Sequence, residues 1–220
     1  MPCIPMQCDL CKTKGATSLG ANGKREFYRC PHCKLIFVSP ESRLSPEDEK
    51  SRYANHDNGA DNPEYRAYLT AVSHEIDRIP LKDPTILDFG CGKEYVLTRI
   101  LRERGFYSFA YDPTYSIGLE NLSRRFDVII LCETIEHLRD IDEELRLLRK
   151  LCKPDGYIFI RTRLAPRECD ILKWWYAIDP THVIFFGEET LSYVANIMGR
   201  SVFYSDGVCS VIIGPEKTAI

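Results

Sequence analysis

The spacing of apolar positions changes character along the chain, and each change marks an element. Residues 39–84 are mostly polar, broken by one stripe. There Tyr65, Tyr68, Leu69, Val72 and Ile76 recur at helical spacing behind Pro63, which suits a first helical turn. The stripe predicts a helix that packs on the following domain and roofs its ligand cleft. From Thr85 onward short apolar runs alternate with helical patterns. Strands are expected at 85–89, 107–111, 127–132, 156–161, 201–205 and 208–213, and helices at 93–104, 141–152 and 188–198. Such alternation implies a mainly parallel sheet covered by helices on both faces, an α/β fold. Ligands on such sheets lie beyond the carboxyl ends of the strands. Asp88, the Gly90–Cys91–Gly92 turn, Asp112 and Glu133 all fall there.

The stretch "ILDFGCGKEYVL", residues 86–97, is the most specific of these strand ends. A buried strand runs into a tight glycine turn, and a helical pattern follows. A dinucleotide site needs a third glycine at position 95, where this chain has a tyrosine, and no Gly-Lys-Ser/Thr of a phosphate loop follows. S-adenosylmethionine has no phosphates and needs only a turn that lets its methionine and ribose parts approach the backbone. An acid after the second strand, here Asp112, has two acceptor oxygens for the ribose hydroxyls.

Composition narrows the class. A 220-residue chain with 44% hydrophobic residues can bury one substantial core and carry a small second module. No run is long enough to span a bilayer, and no charged-then-apolar leader opens the sequence, so a cytoplasmic protein with no membrane partner is expected. The net charge of −3 gives no global reason to expect DNA. The ten cysteines are not read as a disulfide framework. Cys3, Cys91, Cys132, Cys152, Cys169 and Cys209 read as small apolar groups. Cys8, Cys11, Cys30 and Cys33 form two C-x-x-C knuckles, the spacing of a zinc ribbon with four thiolates on one structural Zn²⁺. A segment this short and polar needs metal ligation for its folding energy. Residues 1–40 hold six basic against two acidic side chains, which permits contact with RNA or another acidic partner, although a solvated face is the simpler reading.

The blocks "ILDFGCGKEYVLTRIL", "YDPTYS", "FDVIILCETIEHLRDIDEELRLLRKLCKPDGYIFIRT" and "WWYAIDPTHVIFFGEETL" resemble, in order, those of class I S-adenosylmethionine-dependent methyltransferases. The opening "CDLCK…FYRCPHCKLIFVSP…RYANHDN" resembles members with an amino-terminal zinc ribbon. The likeness implies a Rossmann-like sheet of order 3-2-1-4-5-7-6 with its last strand antiparallel. It places Asp88, Gly90, Cys91 and Gly92 at the methionine part, Asp112 at the ribose, and Cys132 and Glu133 on the pocket floor. Two departures stand out. Glu94 occupies the family's third glycine, and only fourteen residues separate Asp112 from Asp127, so the third strand is expected to be short or missing.

Glu133, Glu136 and His137 would share one face of a helical turn, and His182 would reach the same mouth from a later loop. These four are the candidate catalytic residues. The E-x-x-E-H pattern with a distant histidine is similar to metal-assisted methyltransferases in which Mg²⁺ or Mn²⁺ orients substrate hydroxyls; without a metal, His137 would act as base or orienting residue. Trp174, Trp175 and Tyr176 offer aromatic surface beside them. The organisation expected is a ribbon at 1–40, a helical linker or lid at 41–84 and a methyltransferase domain at 85–220, acting on a small-molecule or RNA acceptor. The competing expectation is a degenerate domain that recruits RNA or protein through its ribbon.

Overall fold

The structure, a computed structural model, describes residues 6–53, 59–168 and 170–216. Cys3, Cys169 and residues 54–58 of the "RYANHDN" stretch lie outside the described residues. The main sheet contains β4 (Thr85–Phe89), β5 (Tyr107–Tyr111), β6 (Phe126–Cys132), β7 (Cys152–Arg161), β9 (Arg200–Ser205) and β10 (Ser210–Pro215). Its order is β5-β4-β6-β7-β10-β9. The first four strands run parallel, and β10 is antiparallel to both neighbours. This is the expected order without its third strand.

Local chemistry explains the missing strand. After β5 the chain closes a bridge between Asp112 and Ile117. Gly118 then adopts a left-handed conformation, φ 63°, so close to the sheet that a Cβ would lie 1.8 Å from the Ala110 carbonyl oxygen. A short 3-10 turn, Leu119–Ser123, follows, and Asn121 Nδ2 donates to that same carbonyl at 2.9 Å. The intervening segment thus folds back along β5, which becomes the sheet edge.

Helix α2 (Pro63–His74) follows the predicted stripe. The Asn62 side chain caps it, accepting from the amides of Glu64 and Tyr65 at 3.0 Å each. Its apolar face, Leu69 and Val72, packs on Val96, Leu97, Ile100 and Leu101 of α3 (Val96–Glu103). Helix α3 starts three residues later than the sequence suggests. Gly92 and Tyr95 both take positive φ, 69° and 40°, so residues 93–95 belong to the turn. Helices α4 (Ile141–Leu151) and α5 (Glu188–Ile197) cover the other face, through Leu145, Leu148, Leu191 and Val194. Helix α1 (Pro46–Tyr53) lies between the ribbon and this domain in the chain.

The ribbon is a three-stranded antiparallel sheet of β1 (Thr17–Asn22), β2 (Arg25–Arg29) and β3 (Ile36–Val38). A fourth strand, β8 (Ile184–Phe185), joins it from far along the chain, with Ile36 opposite Phe185 and Phe37 opposite Ile184. The seam has its own core: Phe27, Ile36, Val38, Ile171, Tyr176, Ala177 and Phe185 are all buried. Burying a side chain such as Phe27 or Phe185 stabilises by about 2 kcal/mol. Several of these outweigh any surface ion pair, so the ribbon is bonded to the loops after β7 and does not hang free.

Candidate active site

One side of the candidate site, the glycine turn, is built from backbone. Gly90 sits at φ 81° where β4 ends, and its amide and that of Cys91 both donate to the Tyr111 carbonyl, at 2.8 and 3.1 Å. A Cβ on Gly90 would lie 2.3 Å from Thr134 Cγ2, so the turn closes against the end of β6 only because the residue is glycine. At Gly92 a Cβ would meet nothing within 4 Å, which leaves open backbone surface at the lip. Cys91 is half-buried beside it, its Sγ 3.4 Å from the Gly92 carbonyl.

Two buried carboxylates brace this turn. Asp88 Oδ2 accepts from the Thr98 amide at 3.1 Å and its hydroxyl at 2.8 Å, which ties β4 to α3. Burial pushes the Asp88 carboxyl up to about 6. Asp112 Oδ2 accepts the Gly92 amide at 2.9 Å, while Oδ1 takes those of Thr114 and Tyr115 at 2.9 and 3.3 Å. Two of its roughly four lone-pair directions are therefore held by its own loop and a third by the glycine turn after β4. Glu94, exposed, turns away from the glycines, and its Oε2 accepts the Ala60 amide at 2.7 Å. The side chain at the third-glycine position anchors the approach to α2 instead of filling the bend.

The other side is built from side chains. Cys132, half-buried, ends β6, its thiol pushed well up by burial. Glu133 follows in a left-handed conformation, φ 49°, and only Ile135–His137 form a 3-10 turn. The single helical turn expected across 133–137 is therefore absent, and Glu133 meets Glu136 through a shared tyrosine hydroxyl. Its Oε1 accepts from Tyr68 of α2 at 2.6 Å and its Oε2 from Tyr176 at 2.9 Å. The Tyr176 hydroxyl also lies 2.6 Å from Glu136 Oε1. Glu136 is fully buried, and its Oε2 is without a hydrogen-bond partner. Burial foremost, then the neighbouring Glu133, raises its carboxyl to about 8.

Glu136 meets both histidines. His137 and His182 have ring centroids 4.8 Å apart. Their Nδ1 atoms lie 3.0 Å from the Thr181 carbonyl and 2.8 Å from the Tyr176 carbonyl. A carbonyl only accepts, so each bond puts a proton on Nδ1. Burial lowers the His182 pKa below its ordinary value, which favours the neutral ring. Ligand atoms of Glu136, His137 and His182 lie within 4.8 Å of one another. Two imidazole nitrogens and an unpartnered carboxylate oxygen are a donor set suited to a divalent cation. Glu133 stands outside this group because two tyrosines hold it.

The two sides meet at Thr134, whose Oγ1 is 3.5 Å from the Gly90 carbonyl and 3.0 Å from the Cys132 carbonyl. Trp174 is packed between Tyr176 and Phe185, whereas Trp175 is 61% exposed beneath Arg163. Tyr68, Arg161 and Arg25 were not singled out from sequence. Tyr68 looks like one more apolar member of the α2 stripe, and Arg161, 3.3 Å from the Tyr68 hydroxyl, is merely the last residue of a strand.

In the ribbon, Cys8 Sγ is 3.5 Å from Cys33 Sγ and Cys11 Sγ 3.4 Å from Cys30 Sγ. All four sulfurs lie within 4.8 Å of one another. Tetrahedral zinc with bonds of about 2.3 Å needs sulfurs roughly 3.8 Å apart. The cluster fits a structural Zn²⁺ with its coordination shell closed.

Residues 63–197 match the methyltransferase domain family, well over half of the chain. The chain belongs to that family. No curated protein matches it in sequence. Among solved structures it is similar to the Burkholderia thailandensis 1,6-didemethyltoxoflavin-N1-methyltransferase, crystallised with 1,6-didemethyltoxoflavin and S-adenosylhomocysteine. Identity is 14%, coverage 93% of this chain and 100% of that one, and the TM-score 0.52. A complex between the Haloferax volcanii Trm112 methyltransferase activator and a methyltransferase contains a chain similar at 16% identity, over 77% of this chain and 98% of that one, with a TM-score of 0.53. An O-methyltransferase family protein from Burkholderia thailandensis matches at 15% identity and a TM-score of 0.51, over 78% of this chain and 64% of that one. The chain spans less than two thirds of the length of several such matches. These likenesses establish the Rossmann-like fold of class I methyltransferases. Among the described residues no helix is long and apolar enough to cross a membrane.

Proposed function

We propose that this methyltransferase-family protein moves the methyl group of S-adenosylmethionine to an acceptor, a small molecule or an RNA, held against the Glu136–His137–His182 cluster. The observation that carries the reading is the contact at Thr134, which brings an open glycine turn and a carboxylate with two imidazoles to the same strand ends. The bound cofactor supplies a methyl carbon on a sulfonium, open to in-line displacement. Gly90, Cys91 and Gly92 shape the lip, with Asp88 bracing it through Thr98. Asp112 orders that lip through Gly92 and offers its remaining lone pair to a ribose hydroxyl. On the opposite side, the hydroxyls of Tyr68 and Tyr176 fix Glu133, and with it the pocket floor beside Cys132. The lone pair on Nε2 of His182 or His137 takes a proton from an oxygen or nitrogen acceptor.

Alternatively, Glu136, His137 and His182 would hold Mg²⁺ or Mn²⁺, whose contribution there would be to orient and acidify an acceptor hydroxyl, the imidazole lone pairs then serving the cation. A purely recruiting ribbon gains no support from the matched structures, and β8 occupies the outer edge of β3.

The test is transfer of radiolabelled methyl groups from S-adenosylmethionine to a catechol series and to short oligoribonucleotides, with and without Mn²⁺. Transfer to one class, reduced about a hundred-fold or more in H182A and H137A, is expected. Unchanged turnover in both variants would remove the cluster from the chemistry.

A further inference from the structure

Arg25 begins β2 of the ribbon, where sequence reading finds only a surface charge beside a hairpin turn. In the folded chain its guanidinium crosses to the main domain. Nη1 donates to the Ala177 carbonyl at 2.5 Å, Nη2 donates to the His182 carbonyl, and Nε is buried without a partner. The group lies 5.1 Å from the Phe27 ring centroid in the seam core. Burial draws its pKa down to about 10, so the charge is retained at neutral pH.

The two carbonyls bracket the loop that supplies half of the acceptor side. Just before it, Tyr176 presents its hydroxyl to Glu136 and its carbonyl to His182 Nδ1. Asp179 folds the loop internally, accepting from the Thr181 amide at 2.9 Å and its hydroxyl at 2.8 Å. Beyond His182, the Val183 amide donates to the Glu136 carbonyl at 2.9 Å, and the Val183 carbonyl accepts the Val38 amide of the ribbon at 2.8 Å. The loop is therefore pinned at both ends, and at each end one fork of the same ribbon side chain holds it. A planar guanidinium reaches two carbonyls at fixed spacing, which a lysine ammonium cannot reproduce.

We propose that Arg25 is a positioning residue for the acceptor side: beside the β3–β8 pairing, its fork sets the Tyr176–His182 loop so that the His182 ring stands against Glu136 and His137. The ribbon is then part of the frame of the active centre. This rests on the reading of that cluster as the acceptor side, but its geometry is testable without turnover.

The experiment uses the full zinc-loaded chain as R25Q, R25K and, as a control, N22A. The last removes another ribbon-to-loop bond, from Asn22 Nδ2 to the Leu172 carbonyl at 3.0 Å. Three readouts are taken: S-adenosylhomocysteine affinity by calorimetry, Mn²⁺ affinity by electron paramagnetic resonance, and the ¹⁵N imidazole spectrum of His182, assigned with H182Q. In R25Q the nucleoside affinity should stay within about two-fold, Mn²⁺ should bind about ten-fold more weakly, and His182 should lose its single Nδ1–H tautomer. R25K should fall between, and N22A should match the unaltered chain. R25Q with unaltered Mn²⁺ affinity and an unaltered His182 spectrum would overturn the proposal. If R25Q does not accumulate as folded protein, R25K decides on the same spectrum, an unperturbed tautomer counting against. If the unaltered chain takes up no Mn²⁺, the metal reading fails by itself, and the His182 spectrum still judges Arg25.

Discussion

The two sides of the candidate site are built in different ways. The donor side is backbone: two left-handed glycines, amides pointing at Tyr111 and Asp112, and carboxylates spent on bracing the turn. The acceptor side is side chain: Glu133, Glu136, His137, Tyr176 and His182 gathered from two distant segments and set in place by Tyr68 and a ribbon arginine. A backbone site tolerates many side chains but no added Cβ at the wrong glycine. A side-chain site tolerates small backbone shifts but depends on partners far away in sequence. The contrast can be broken by mutation.

The largest effect expected is that of Gly90→Ala. Its Cβ would strike Thr134 in a backbone region alanine resists, so a stability loss on the order of 3 kcal/mol is predicted, with nucleoside binding abolished. Denaturant titration and calorimetry check both. A fully stable, ligand-competent G90A would show that the turn is not closed as described.

Next come the buried carboxylates, which separate the two sides by pH. Glu136 and Asp88 both bind a proton more tightly folded than unfolded, so each lowers stability as pH rises from its unfolded to its folded pKa. For Asp88 that window is about pH 4 to 6, and the loss there is on the order of 3 kcal/mol. For Glu136 it extends to about pH 8. Unfolding free energies measured across this range should fall less steeply in E136Q up to pH 8, and in D88N only below about pH 6. Identical pH profiles for both variants would erase the distinction between the half-satisfied Glu136 and the braced Asp88.

How much of this was legible follows from the same contrast. The strand–turn–helix at 85–103 was readable because buried strands and glycine turns are local patterns; the strand order came from the resemblance to class I methyltransferases, and only the loss of its third member from the short interval after Asp112. Two C-x-x-C knuckles announced the ribbon for the same reason. Residues 133–137 were misread as one helical turn, since spacing alone does not reveal that Glu133 takes φ 49° to satisfy two tyrosines. Strand β8 has only two residues, and its pairing with β3 spans nearly 150 positions, so no periodicity exposes it. Arg25 was invisible because its partners are carbonyls, which every residue carries.

The smallest effect expected concerns Glu94. Its bond to the Ala60 amide is exposed, so E94A should cost under about 1 kcal/mol and change nucleoside affinity only a few-fold. A gain of a hundred-fold would mean that the carboxylate obstructs the donor side after all, and would make the two sides less alike still.

The central claim is that the Gly90–Gly92 lip accepts a sulfonium nucleoside with its acidic neighbour turned outward. Calorimetric titration of the zinc-loaded chain with S-adenosylhomocysteine tests it most directly. One site per chain with an affinity in the micromolar range is predicted. No heat, and no rise in unfolding temperature at millimolar ligand, would contradict it.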